Sequence, residues 1–177
     1  DELIAVELTT GKDQIFLGTH DGQCIRFHED NVRDMGRQAR GVKGIDLADN
    51  DYLVGMTVSG DEGMILSVTE HGYGKRTLVS HYRAQSRGGK GVINVKTTSK
   101  NGKVVAIMKV DLTSELIVIT AQGKIIRLEA AAIRAAGRST QGVKLINLDA
   151  GDKLQAIASV ISEQQEDAAA ELPMPPN

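Results

Sequence analysis

The 177-residue chain is poor in the residues that mark several classes of protein. It contains no tryptophan, its aromatic residues amount to 3%, and a single cysteine, Cys24, leaves no internal disulfide to form. A lone cysteine is typical of a reducing compartment. No apolar run approaches the roughly 18 residues that a membrane-spanning helix needs, and the first residues lack the basic and apolar segments of a signal peptide. The sequence therefore predicts a cytoplasmic location with no membrane association.

Residue combinations that carry chemistry are equally scarce. There is no phosphate-loop lysine motif, no nucleophile elbow and no pair of carboxylates placed for acid–base work. His20, Cys24 and His28 are spaced by four residues, but a predicted hairpin turn separates the first two and no fourth metal ligand stands out. We expect no catalytic residue, no metal site and no cofactor bound by this chain.

Charge is strongly segregated, although the formal net charge is only −2. Residues 162–177 contain four acids and no base, with several alanines and prolines, and are predicted to form a disordered acidic tail. The predicted folded domain, residues 1–161, carries 21 bases and 19 acids. Within it, residues 71–110 hold nine lysines or arginines and no acid. A basic stretch of this length favours binding of a polyanion over the alternative, a solvated strand face.

Nine of the ten arginines recur at three positions of a repeat of about 50 residues. A period of this size is typical of one supersecondary unit stacked several times, and an arginine in the same place in every unit becomes a row of positive charge. Such a row suits a long, regular polyanion, and duplex nucleic acid is the obvious one. The three positions are Arg26/Arg76/Arg127, Arg33/Arg83/Arg134 and Arg37/Arg87/Arg138.

Each unit predicts four short strands. An apolar run, a hairpin turn at a glycine and a second strand with the first arginine come first. A connector follows, with a short helical turn predicted over 31–35 and 130–136, and a glycine–valine pair opens the third strand. A polar turn and a fourth strand close the unit. The predicted third strands are 42–47, 92–95 and 143–148, and the fourth strands are 52–59, 104–110 and 154–160.

Units of this kind indicate an all-β fold, a propeller-like repeat of four-stranded blades. The repeats are predicted at about residues 13–59, 63–110 and 114–160, so that three blades form a partial ring. Residues 1–10 match a fourth strand, and we expect the chain to begin inside a preceding repeat, with more repeats upstream. An open arc leaves strand edges unpaired at both ends, and proteins normally cover such edges.

The second connector reads Gln85-Ser86-Arg87-Gly88-Gly89-Lys90-Gly91. It resembles the gyrase box, Gln-Arg-Arg-Gly-Gly-Lys-Gly, of the C-terminal domain of the DNA gyrase A subunit, with Ser86 in place of the first arginine. Residues 72–77 and 137–143 resemble later blades of the same family, and the likeness runs through residues 1–161. The resemblance implies a β-pinwheel, a six-bladed disc in which neighbouring blades exchange a strand, and these would be its last three blades.

The resemblance also implies a function. In that family the basic rim of the disc binds double-stranded DNA and wraps it in a right-handed sense, so that ATP-dependent strand passage introduces negative supercoils. The chain would work with the remainder of the gyrase A subunit, and with the gyrase B subunit, in an A2B2 complex in the bacterial cytoplasm at the nucleoid. ATP and Mg²⁺ would be bound elsewhere in that type II topoisomerase, and its catalytic tyrosine would lie outside this chain.

The candidate DNA-binding residues are basic side chains, glycines and one glutamine in or near the connectors. Arginine grips a phosphate through two parallel hydrogen bonds, and glycines let the backbone approach the phosphates and offer amide donors. Bending a duplex is costly, so contacts must recur from blade to blade. Since single-stranded bases stack on aromatic rings, the scarcity of aromatics favours a duplex. The predicted set is Arg37, Arg40, Lys43, Lys75, Arg76, Arg83, Gln85, Arg87, Gly88, Gly89, Lys90, Gly91, Arg134, Arg138 and Lys144.

Three alternatives stay open. The C-terminal domain of topoisomerase IV shares the blade pattern, but that enzyme relaxes and unlinks DNA without adding negative supercoils. A protein-binding propeller scaffold would present an apolar or mixed patch on a disc face, and the Trp-Asp dipeptide of one such class is absent. For the second-strand arginines, Arg26, Arg76 and Arg127, a structural salt bridge fits the pattern as well as a DNA contact does.

Overall fold

Short runs of β-branched and apolar residues separated by glycine, aspartate and asparagine turns give this chain short strands and no long helix. The computed structural model describes residues 2–160, which form eleven strands and three single-turn 3₁₀ helices. Each helical turn directly follows the second strand of a unit: Glu29–Asn31, Val79–His81 and Ala130–Ala132. The strands are β1 Gln14–Thr19, β2 Gln23–His28, β3 Leu53–Ser59, β4 Met64–Thr69, β5 Tyr73–Leu78, β6 Val92–Ile93, β7 Val104–Val110, β8 Glu115–Thr120, β9 Ile125–Glu129, β10 Val143–Lys144 and β11 Leu154–Val160.

The strands pair in three antiparallel sheets, the blades of the fold. The strand order is β3-β1-β2-β6 in the first blade, β7-β4-β5-β10 in the second and β11-β8-β9 in the third. β6 and β10 each come from the unit that follows the blade they complete. The expected all-β pinwheel, with an edge strand exchanged between neighbouring blades, is therefore confirmed. The third blade has three strands among residues 2–160.

Two glycines make room for the exchanged chain. Gly22 lies in the turn between β1 and β2 with a φ of 96°, and a Cβ there would overlap the carbonyl oxygen of Val95. Gly91, with a φ of 75°, precedes β6, and its Cβ would stand 2.5 Å from the carbonyl oxygen of Cys24 in β2. Backbone of the neighbouring unit blocks any side chain at either position.

Most of the apolar core lies between blades. A first cluster joins Phe16 and Cys24 of the first blade to Ile65 of β4 and to Tyr82 after the second helical turn. A second cluster joins the other face of β4 to the third blade; it contains Leu66, Val68, Leu116, Val118 and Ile133. Each buried apolar side chain stabilises the fold by about 1.5–3 kcal/mol. Since these two clusters contain residues of neighbouring units, their stabilisation is present only when both units are folded.

Arginines on the second strands hold consecutive units together. Arg76 is only 6% exposed, and its Nε and Nη2 donate to the carbonyl oxygens of Ile133 and Ala131 at 2.7 and 3.2 Å. One unit earlier, Arg26 Nη1 donates to the carbonyl oxygen of Tyr82 at 3.1 Å. Both side chains therefore bind backbone at the 3₁₀ turn of the following unit, and they fix one blade against the next.

The fourth strand predicted within residues 1–10, as part of a preceding repeat, is not formed among residues 2–10. Residues 2–10 form no strand, and Leu3, Val6 and Leu8 are largely exposed. A fourth strand pairs with the first strand of its own unit, as β3 pairs with β1. The first strand that this segment would pair with belongs to a preceding repeat, so its assignment stays a prediction.

The third strands are shorter than predicted. β6 and β10 contain two residues each, and residues 42–47 form no strand because no earlier second strand is available to them among residues 2–160. Ile45 of this segment packs instead on Leu17, Ile25 and Phe27 of the first blade. The connectors contain single 3₁₀ turns in place of the longer helical turns predicted for two of them.

Two further predictions concern the C-terminal tail and membrane-spanning segments. The predicted acidic tail, residues 162–177, lies outside the described residues. Across residues 2–160, no helix has the length and apolar character that crossing a membrane requires.

Replacing Arg76 with methionine is expected to lower the free energy of unfolding by about 2–3 kcal/mol, because the carbonyl groups of Ile133 and Ala131 lose a buried charged donor. Arg127→Met is the matched control. Arg127 occupies the same repeat position but is 65% exposed and pairs with Glu115, so its replacement should change stability by less than about 1 kcal/mol. Urea unfolding followed by circular dichroism measures both variants, and equal losses would contradict the inter-blade role of Arg76.

Candidate nucleic-acid interface

The second and third connectors lie along the outer edge of the blades. Fourth strands occupy the inner edges, where β3 and β7 lie against each other and the Lys109 N–H donates to the Thr57 hydroxyl at 3.0 Å. β6 and β10 occupy the opposite edges of their sheets. Just before these strands, the Gln85 N–H donates to the Arg26 carbonyl at 2.9 Å, which holds the second connector against β2. We call residues 83–91 and 134–144 the connector rim.

Arg87 and Arg138 occupy equivalent places on the connector rim and make equivalent contacts. The Nε of Arg87 donates to the Asn31 carbonyl at 2.8 Å and its Nη1 to the Lys43 carbonyl at 3.1 Å. The Nε of Arg138 donates to the His81 carbonyl at 2.7 Å and its Nη1 to the Ile93 carbonyl at 3.3 Å. In each case the acceptors belong to the helical turn and the third-strand segment of the preceding unit.

These contacts orient the two guanidinium groups without neutralising them. Both side chains are half-buried, and neither pairs with a carboxylate among residues 2–160. A guanidinium carries five N–H donors, and two of the five are used here. The remaining donors have no hydrogen-bond partner among residues 2–160.

Arg37, the first-unit equivalent, is placed differently. It is exposed and forms no hydrogen bond or ion pair with residues 2–160. The other exposed cations of the predicted set resemble it in lacking an ion pair within that range: Arg40, Arg83, Lys90, Arg134 and Lys144. Lys43 differs, since its ammonium pairs with Asp46 and lowers the pKa of that carboxyl from its ordinary value.

Lys75 and Arg76 were expected to contact DNA, and the structure corrects this. Lys75 is 1% exposed, and its Nζ donates to the carbonyl oxygens of Asn94 and Gly137 at 2.7 and 2.6 Å. Arg76 is 6% exposed and binds the backbone carbonyls of Ile133 and Ala131 in the following unit. Both side chains face neighbouring units, so neither can meet a phosphate. The basic stretch at residues 71–110 therefore exposes fewer charges than its sequence indicates.

The glycines and the glutamine of the second connector serve the fold in ways that sequence reasoning missed. The Gly88 N–H donates to the Gly44 carbonyl at 2.6 Å and the Gly89 carbonyl accepts from Asp46 N–H at 2.9 Å, so neither group is offered to a ligand. Gly91 is required by the close approach of β2. The side-chain nitrogen of Gln85 is buried. In the sequence, the sign of this close packing between units is the glycine–valine pair that opens each predicted third strand.

The histidines and the cysteine of the first hairpin do not converge on one point. Cys24 is buried between the blades, and burial raises its pKa to about 12. His20 stacks on the Tyr52 ring instead, with 4.4 Å between ring centroids. His28 accepts the N–H of Asp30 and caps the first helical turn.

Comparison with known proteins identifies relatives of the chain. The family model for the DNA gyrase C-terminal domain, beta-propeller, matches residues 13–59, 63–111 and 114–161. The chain is 43% identical over 171 residues to the DNA gyrase A subunit of Klebsiella oxytoca and 47% identical over 165 residues to that of Staphylococcus epidermidis. These alignments cover 95% and 92% of the chain but only 20% and 18% of the relatives, so the chain spans about a fifth of their length.

Two solved structures share the fold. The C-terminal domain of DNA topoisomerase IV matches 94% of this chain and 53% of its own with a TM-score of 0.85 and 24% identity. The E. coli ParC C-terminal domain matches 86% of this chain and 64% of its own with a TM-score of 0.68 and 15% identity. At these identities the likeness concerns the fold alone. Because the family model covers all three blades, the chain belongs to the DNA gyrase C-terminal domain family.

Proposed function

We propose that this chain binds double-stranded DNA without sequence preference along the connector rim and helps to wrap it, as part of the gyrase A subunit. One observation carries the proposal. Arg87 and Arg138 stand at the same place in successive units, are oriented by the same pair of backbone contacts, and keep N–H donors that form no ion pair with a carboxylate of residues 2–160. Oriented cations that recur from one unit to the next suit a ligand whose phosphates recur along its length.

The contacts that orient the arginines favour this function. Binding without sequence preference depends on phosphate contacts, and an arginine already held by backbone loses little side-chain entropy when a phosphate arrives. The exposed cations around it, such as Arg83, Lys90 and Lys144, add positive potential without a fixed direction. Contacts that recur on neighbouring blades would offset the cost of bending the duplex.

Family membership supports the wider proposal. The parent would be a type II topoisomerase that introduces negative supercoils at the expense of ATP, with two copies of each of its two gyrase polypeptides. ATP and Mg²⁺ would be bound outside this chain, which would contribute DNA binding and no catalytic group. Its place of work would be the bacterial cytoplasm, at the nucleoid.

Duplex binding by the 177-residue chain is expected to weaken steeply with added potassium chloride. If roughly six to nine phosphates are neutralised, the logarithm of the association constant falls with a slope of about −5 to −8 against the logarithm of salt concentration. Fluorescence anisotropy with a labelled linear duplex measures this slope. A slope near zero would contradict binding through phosphates.

The double variant Arg87→Gln/Arg138→Gln should bind duplex about tenfold more weakly and with a slope less steep by about 2, since two oriented phosphate contacts are lost. Arg37→Gln is the control for charge alone, because Arg37 is exposed and has no contact of its own to lose within residues 2–160. It should reduce the slope by no more than about 1. An unchanged slope in the double variant would remove the two arginines from the contact surface, provided that thermal melting shows both proteins folded.

Plasmid supercoiling separates gyrase from topoisomerase IV. The complete enzyme that contains this chain should add negative supercoils to relaxed plasmid when ATP is present, and lose that activity when both rim arginines are replaced by glutamine. Gel electrophoresis of plasmid topoisomers measures the result. An enzyme that only relaxes supercoils would favour the topoisomerase IV alternative, with which the shared fold is compatible.

A further inference from the structure

The second unit contains a buried polar cluster at four positions that are apolar or glycine in the other two units. Its members are 0–1% exposed: Ser67, Lys75, Tyr82 and Asn94. The strand registers align Ser67 and Lys75 with Leu17 and Ile25 in the first blade, and with Val118 and Ile126 in the third. The same steps along the repeat align Tyr82 and Asn94 with Val32 and Gly44, and with Ile133 and Leu145.

Hydrogen bonds connect the four residues: three through their side chains, and Lys75 through the backbone of Asn94. The Asn94 side-chain amide donates to the Ser67 hydroxyl at 2.8 Å and accepts from the Tyr82 hydroxyl at 2.8 Å. The Lys75 ammonium donates to the backbone carbonyl of Asn94 at 2.7 Å. Since a buried polar group without a partner is costly, a hydrogen-bonded network centred on Asn94 holds its members in one arrangement.

The cluster extends directly to the loop that carries Arg138. Lys75 Nζ donates to the carbonyl of Gly137 at 2.6 Å, and the Ser139 N–H donates to the carbonyl of Asn94 at 2.8 Å. Both neighbours of Arg138 are therefore tied to the buried cluster. Ser139 has a φ of 56°, a left-handed backbone conformation that a non-glycine residue adopts only when its surroundings enforce it.

The loop that carries Arg87 is the equivalent of the Arg138 loop in the second unit, and fewer hydrogen bonds hold it. Gly88 donates its N–H to the Gly44 carbonyl, as Ser139 does to Asn94 one unit later. Position 25 is an isoleucine, however, so no side chain comparable to Lys75 reaches the carbonyl on the other side of Arg87. The lysine is specific to the loop that presents Arg138.

We propose that Lys75 is a positioning residue for DNA binding, which fixes the Arg138 loop from within the second blade so that the guanidinium faces the phosphates. This inference rests on the proposed function of the connector rim. In this proposal Lys75 does not contact DNA; it holds the loop of an arginine that does.

The charge of Lys75 gives the proposal a pH signature. Burial lowers the pKa of Lys75 from 10.5 to about 8, and the neighbouring charge of Arg138 acts in the same direction. The other ionisable group that acts on Lys75 is Cys24 from β2, and Tyr82 belongs to the same hydrogen-bonded cluster; burial raises the pKa of both, so they stay neutral near pH 8. A phosphate bound at Arg138 offsets the repulsion between the two cations and favours the ammonium form. DNA binding should then take up protons near pH 8, and affinity should fall as pH rises through that value.

The experiment measures binding of a short linear duplex to the 177-residue chain between about pH 7 and pH 9. Calorimetry in two buffers with different ionisation enthalpies counts the protons taken up. We expect uptake by the wild type near pH 8 and none by Lys75→Met, which should bind about fivefold more weakly at neutral pH. Lys75→Arg keeps a charge that does not titrate, so it should restore affinity and remain independent of pH. Lys109→Met removes an exposed charge on an inner strand and should keep the wild-type pH profile.

Hydrogen exchange of the Ser139 amide provides a measurement without DNA. Exchange should accelerate in Lys75→Met and stay unchanged in Lys109→Met, because only the first variant loosens the loop. Wild-type binding without proton uptake would overturn the proposal. An exchange rate of the Ser139 amide that is the same in Lys75→Met as in the wild type would also overturn it. Accelerated exchange in a chain that does not bind duplex would support the loop-holding role and refute the function proposed for the rim. If Lys75→Met does not fold, proton uptake by the wild type decides the matter.

Discussion

Each complete blade of this protein depends on an edge strand that the following unit donates, and the rest of the structure is arranged around that donation. Glycine is required where the donated segment passes the neighbouring blade, since backbone of the neighbouring unit occupies the space of a Cβ at Gly22 and Gly91. Buried arginines then bind the helical turn just upstream of the donated strand, as Arg76 does at Ile133. The apolar clusters between blades complete the contact. A unit of this fold is therefore stable only with its neighbours, as expected of a repeat protein.

The same residue type serves two purposes at two depths. Arg26 and Arg76 point into the contact between blades, where backbone carbonyls take up their donors. Arg87 and Arg138 also bind carbonyls of a neighbouring unit, but from the outside, and the contact uses only part of the guanidinium. Holding an outer arginine by backbone contacts makes its orientation a property of the fold. Any ligand that it meets finds the side chain already ordered, which lowers the entropy cost of binding.

Much of this could be predicted from the sequence, because the repeat supplies three versions of every local pattern. The hairpins follow from glycine turns between apolar runs, and the exchange follows from the family resemblance. Burial of the arginines could not be predicted, since a repeat copies structural and binding arginines alike. The burial of Lys75 does leave a trace in the sequence: its equivalents Ile25 and Ile126 are apolar, which indicates an interior position. Strand propensity in residues 2–10 says nothing about whether a pairing partner is present, so their assignment to a preceding repeat stays a prediction.

The direction of strand donation has a consequence for biosynthesis. Translation delivers β1 and β2 first, yet β6, which closes the outer edge of their sheet, leaves the ribosome only after most of the second unit has been made. The emerging chain must therefore carry an unsatisfied sheet edge for one repeat at a time, and each blade matures only when its successor appears. Exposed edges of this kind invite pairing with other nascent chains on the same polysome. Slow elongation within a unit would lengthen that exposure.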